Sequence, residues 1–132
     1  MSVFATIELS ESGHQKLPKR FDPKGEGLDY GQDLPRMTDE LDALAGRAGV
    51  APITSFFDDS EMLSAEEREE VGLPPAEPKW SAVEDGLRTV RALLAALKGQ
   101  AAGEGKLWDL EVSEGILSDA LGKGEKFRYY LC

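Results

Sequence analysis

The sequence predicts an α+β fold: a single compact domain over residues 1–132, with three or four helices packed on a small sheet formed by the N- and C-terminal strands. Three observations point there. The two ends, SVFATIEL (Ser2–Leu9) and KFRYYL (Lys126–Leu131), are rich in β-branched and aromatic residues. Between them, two segments place apolar residues at three- and four-residue steps. Leu, Ile, Val and Phe number 31 of the 132 residues, above the roughly 20% below which disorder is expected. A chain of this length buries about two-thirds of the surface that it exposes unfolded, so no metal or disulfide is needed to hold it together.

The first strand, Ser2–Leu9, closes in a Ser-Glu-Ser-Gly turn. Residues 14–32 carry Pro18, Pro23, Gly25, Gly27 and Gly31 with scattered apolar residues, which predicts a long loop. Leu34, Met37, Leu41, Leu44, Ala45 and Ala48 then mark one face of a helix, with Asp33 as its N-cap and Gly49 as its stop. Val50–Phe57 is short, apolar and broken by Pro52. It reads as an edge strand or an extended crossing that buries Ile53, Phe56 and Phe57.

Ser64-Ala-Glu-Glu67 is a capping box that opens a short acidic helix, closed by Gly72 and Pro74-Pro75. Residues 72–79 form a stiff Pro-rich connector. Ser81-Ala-Val-Glu84 is a second capping box. Behind it Val83, Leu87, Val90, Leu93, Leu94 and Leu97 run along one face to Gly99. Gln100–Gly105 reads as a flexible turn. Over Leu107–Leu121 two readings compete. Trp108, Leu110 and Val112 alternate as in a strand, whereas Leu107, Leu110, Leu117 and Leu121 keep helical spacing, and length favours the helix. Lys126–Leu131 follows Gly122 and Gly124 as a strand able to pair with the first.

Charge and composition exclude several classes. Fifteen Lys and Arg against 25 Asp and Glu give a net charge of −10, which argues against nucleic acid and anionic membrane, because both need clustered cations to displace counterions. Cys132 is the one cysteine, so neither an intramolecular disulfide nor a thiolate metal cluster can form. Met1–Leu9 lacks a basic n-region, a long apolar core and a small-residue cleavage site, and no stretch approaches the roughly 18 apolar residues of a membrane span. A reducing cytoplasm is the expected address.

Three segments carry a resemblance: LDALAGRAGVAPITSFF (Leu41–Phe57), WSAVEDGLRTVRALLAAL (Trp80–Leu97) and the closing KFRYY. Together, 40 of the 132 residues, they resemble a group of small acidic bacterial cytosolic proteins with no assigned activity. The resemblance implies a bacterial cytosolic origin and transfers no functional residues.

The motifs for catalysis and cofactors are wanting. Gly25-Glu-Gly27-Leu-Asp-Tyr-Gly31 places the third glycine of a dinucleotide fingerprint one position late, and no Walker-type phosphate loop occurs. An EF-hand laid over Asp22–Asp33 puts Lys24 at a ligand position, where its ammonium repels Ca²⁺. His14 is the one histidine. A His-based metal site is therefore excluded, and with no Gly-x-Ser-x-Gly elbow there is no sign of a serine nucleophile. No cofactor is expected. An all-carboxylate site stays open: Asp58, Asp59 and Glu61 could hold a divalent cation or flank a glycosidic bond.

Charge distribution is more informative than any motif. The twenty residues from Asp58 to Glu77 hold eight acids, Asp58, Asp59, Glu61, Glu66, Glu67, Glu69, Glu70 and Glu77, against Arg68 alone. His14–Lys24 holds four bases and one acid. A solvated helix face explains such an acidic run. So does an anionic docking face for a basic partner, with Asp58, Asp59, Glu61, Glu66, Glu67 and Glu70 as its charges and Trp80 as an aromatic anchor beside it. The leading expectation is a non-catalytic, cytosolic protein-binding protein of the inhibitor or immunity kind. Two alternatives stand beside it: a small metal-dependent hydrolase built on Asp58, Asp59 and Glu61, and a self-associating subunit, a homodimer, presenting Phe56, Phe57 and Trp80.

Overall fold

The computed structural model describes residues 3–26, 28–60, 63–75, 77–98 and 104–131. Alternation in the first strand, β1 (Ala5–Leu9), sends Ala5, Ile7 and Leu9 into the core and leaves Thr6 and Glu8 on the opposite face. Gly13, at φ +80°, turns the chain back into a two-residue strand, β2 (Gly13–His14), antiparallel to β1. The C-terminal strand β5 (Lys126–Leu131) lies antiparallel along the whole of β1, Ala5 facing Leu131 and Leu9 facing Phe127. The pairing expected of the chain ends is thus the centre of the sheet.

Two short strands from loop regions complete it. β3 (Phe57–Asp58) runs parallel to β5 and β4 (Ser81–Ala82) antiparallel to it, so the sheet is mixed. Val50–Phe57 therefore combines a single 3-10 turn at Ile53–Phe56 with the edge strand that follows. Ile53 and Phe56 are buried and Phe57 half-buried. Ser81 does not act as the first cap of a helix: it pairs with Phe127, and the helix begins two residues later.

The described residues contain four α-helices. In α1 (Thr38–Ala48), Leu41, Leu44 and Ala45 face inward, and Gly49 ends the helix at φ +73°. Asp33 lies too early to cap it, because Leu34–Arg36 forms a separate 3-10 turn. α2 (Ala65–Glu70) starts at the expected capping box: the Ser64 hydroxyl accepts from the Glu67 amide, and the Glu67 carboxylate accepts from the Ser64 amide. α3 (Val83–Lys98) packs on the inner face of the sheet so closely that a Cβ at Gly86 would overlap the Phe127 ring.

α4 (Glu104–Ala120) settles the competing readings of 107–121 in favour of a helix and begins within the expected turn. Its periodicity is obscure in sequence for a physical reason. Leu110, Val112, Ser113, Ile116 and Leu117 are all buried, on a band too broad to read as one stripe. The residues from 99 to 103, the remainder of the expected turn, lie outside the described residues, as do Gly27, Glu61 and Cys132.

The predicted 14–32 loop is anchored rather than loose. Asp109, buried on α4, accepts backbone hydrogen bonds from Gly31 (2.8 Å), Asp33 (2.8 Å) and Leu34 (3.1 Å). Gly31 sits at φ +95° with its Cα against the Ala5 carbonyl, where a Cβ would come within 2.5 Å. Tyr30 plugs the core between them: its hydroxyl donates to the Gln15 carbonyl and accepts from the Ile7 amide. Burial disfavours the phenolate; against the Ile7 hydrogen bond, and with Asp109 adding to the upward push, the Tyr30 pKa is raised to about 12.

Candidate functional site

Two places in this framework gather chemistry-bearing side chains. The first is the outer face of the sheet, opposite the helices. The register that sets Glu8 across from Arg128 also turns both to this side. The Arg128 guanidinium, 2% exposed, donates from Nε to Glu8 Oε1 at 2.5 Å and from Nη1 to Asp58 Oδ2 at 2.7 Å. Nη2 closes a second contact with the Glu8 carboxylate. The guanidinium lies 5.0 Å from the Trp80 ring centroid and 5.2 Å from that of Tyr130, within cation–π reach of both. His14 Nε2 stands 3.5 Å from Glu8, with its ring edge-on to Tyr130.

Asp58 departs from the role expected of it. It is 5% exposed and takes no part in an acidic surface, because β3 turns its carboxylate inward onto Arg128. The same carboxylate accepts the amides of Ser60 (2.9 Å) and Lys79 (2.8 Å). Burial alone would raise its pKa; Arg128, the Lys79 amide and Ser60 outweigh burial and hold it at about 2. A carboxylate so occupied has little capacity left for a cation. Asp59, the next residue, is exposed, and Glu61 lies outside the described residues. Among the described residues no group of three or more His, Cys, Asp or Glu is arranged to hold a metal ion.

Trp80 is likewise half-buried over Arg128 rather than standing out as an anchor. Of the other two aromatics expected on a self-association surface, Phe56 is buried against Phe127 and Phe57 is half-buried against Tyr129, at the edge of the core.

The second place is α2 and its flanks. Glu66, Glu69 and Glu70 are exposed, and Glu67, also exposed, turns its carboxylate back to the Ser64 amide, which lowers its pKa. Arg68, the base of the acidic run, directs Nε to the Pro74 carbonyl (2.7 Å) and Nη1 to the Ser60 carbonyl (3.0 Å). It braces the connector against the segment preceding the helix. α2 has no buried residue. Beside it stand Leu63 (36% exposed), Val71 (65%) and Leu73 (45%), three of the five large hydrophobic residues exposed among those described. Leu63, Ala65, Leu73 and Pro75, with Arg68 and Glu69, line an open groove of about 580 Å³.

The acids of this face are legible in the sequence, and its apolar centre was not among the expectations. The signal was there: Leu63, Val71 and Leu73 bracket a helix with no apolar residue larger than alanine, so they have no stripe to join. No helix among the described residues is long and apolar enough to cross a membrane. Compared with known proteins, the chain matches no family model, no curated sequence and no solved structure.

Proposed function

We propose that the chain is a non-catalytic protein that binds a basic partner protein through the face built on α2, in the manner of an inhibitor or immunity protein. One observation carries this reading: an α-helix with no buried residue, ringed by acids and bordered by Leu63, Val71 and Leu73 in solvent. Exposed apolar side chains with a charged rim are the composition of an interface, the apolar centre giving lifetime and the charges giving encounter rate and partner choice. Arg68 supports the reading because its donors go to backbone carbonyls, which leaves the charge of Glu66, Glu69 and Glu70 directed at solvent. The outer sheet face favours catalysis less. Its arginine is paired with two carboxylates under aromatic cover, the arrangement of a structural ion cluster.

The test is affinity capture from lysate with the full chain, at low and raised salt, beside a Glu66→Lys/Glu70→Lys variant. The expected result is a retained basic protein, identified by mass spectrometry, that is released by salt and lost in the variant. Retention indifferent to both salt and charge reversal overturns the proposal.

A further inference from the structure

Building on that reading of α2 as a protein-binding face, we infer that the groove beside α2 receives a basic amphipathic segment of the partner. One apolar side chain of the segment seats between Leu63 and Leu73, and its lysines or arginines lie against Glu69 and in the field of Glu66 and Glu70 on the same helix. The groove is walled by Leu63, Ala65, Leu73 and Pro75, a lining that rewards an apolar side chain and offers few groups to a polar one. Its walls are also held in place before anything binds. The Ser64–Glu67 capping box fixes one side, Pro74-Pro75 stiffen the other, and Arg68 ties the two together through the Ser60 and Pro74 carbonyls. A groove held in this way costs less to fill than one that must first be ordered.

Charge then selects the occupant. Glu69 lines the groove beside Arg68, whose donors are engaged with backbone oxygens, and Glu66 and Glu70 stand exposed elsewhere on the same short helix, so the surroundings of the groove are anionic. An anionic segment, a nucleic acid or an anionic bilayer meets like charge there. A second copy of the chain, itself at −10, is repelled overall. A purely cationic ligand would satisfy the rim and leave Leu63 and Leu73 in water. The complement of both features at once is a segment with apolar residues on one side and lysine or arginine on the other.

The experiment uses the full chain and two labelled 14-residue peptide probes with the same number of lysines. One places leucines at helical i, i+3, i+4, i+7 spacing, and the other has serine at those positions. In fluorescence anisotropy near physiological salt, the leucine peptide is expected to bind about tenfold more tightly, the worth of burying one leucine side chain. Leu73→Ser and, separately, Leu63→Ser are expected to remove that advantage without changing the affinity for the serine peptide. Both positions are exposed, so thermal unfolding should match the unsubstituted chain. Glu66→Gln/Glu69→Gln/Glu70→Gln is expected to weaken both peptides. Equal binding of the two peptides, weakened alike by the Gln variant, overturns the groove inference and leaves the acidic docking face standing. Failure of both peptides to bind overturns both. A dimer in sedimentation that excludes the leucine peptide overturns the inference by naming a second copy as the occupant.

Discussion

Around Arg128, a half-buried Glu8 and a buried Asp58 are held by a guanidinium, with two backbone amides added at Asp58. Around α2, Glu66, Glu69 and Glu70 stand in solvent, and the local arginine turns away to carbonyls. Asp58 and Glu66 belong to the same acidic run in the sequence, eight residues apart, yet one is a structural ion and the other a surface charge. What separates them is strand register: β3 pairs with β5 beside Arg128, whereas α2 has no buried residue. A run of charge is therefore not a unit of function. Its members sort by what the fold sets opposite them.

The strongest way to break this contrast is Arg128→Met. Removing the cation leaves buried Asp58 and half-buried Glu8 as adjacent like charges, and unfolding in urea should show a loss of about 3–5 kcal/mol. A loss below about 1 kcal/mol would mean that the cluster is no more structural than the α2 face. Asp58→Asn is gentler, since Glu8 still pairs Arg128, and should cost about 2 kcal/mol near neutral pH. Its pH dependence gives a sharper signature. The folded pKa, about 2, lies below the unfolded value of 3.8. The stabilisation is then fully present above pH 4 and is lost as pH falls from about 4 toward 2. The stability difference between Asp58→Asn and the unsubstituted chain should shrink over that window, and a difference constant down to pH 2 would contradict the pairing.

On the other side of the contrast, Ser64→Ala removes one half of the capping box and should destabilise α2 by about 1 kcal/mol. Amide exchange would show faster opening in α2 and the Arg68-braced connector, with α3 and the β1–β5 pairing unchanged. The smallest stability effect belongs to Glu66→Gln/Glu70→Gln, within about 0.5 kcal/mol of the unsubstituted chain by thermal unfolding. The same variant should weaken the capture of a basic partner and flatten its salt dependence. Stability loss above 1 kcal/mol would show that these acids, too, are built into the fold.

Much of the framework was legible. α1 and α3 announce themselves through single apolar stripes ended by Gly49 and by a polar tail, and the β-rich chain ends found each other as expected. The short strands β3 and β4 were less legible because two residues carry no period; they exist because β5 offers them an edge. Asp109 was overlooked although it shares a helical stripe with Val112, Ile116 and Ala120, where a carboxylate demands donors. Those donors are the amides of Gly31, Asp33 and Leu34, and no spacing rule links a helix to a loop more than seventy residues earlier. The Glu8–Arg128 half of the ion cluster follows once the ends are paired, since both residues fall on the polar phase of their strands. Asp58 does not follow, because its place depends on β3.

The position of β5 in the sheet has a consequence for synthesis. One of its edges is covered along its length by β1, and the other is shared by β4 and β3. Of the strand pairings described, the β1–β2 hairpin alone does without it. On the ribosome β1 emerges more than a hundred residues before the strand that covers it, an interval on the order of ten seconds at ordinary elongation rates. During that time Ala5, Ile7 and Leu9 have no sheet to enter, and Glu8 has no arginine. Assembly of the sheet therefore waits on β5 rather than proceeding as a succession of finished parts.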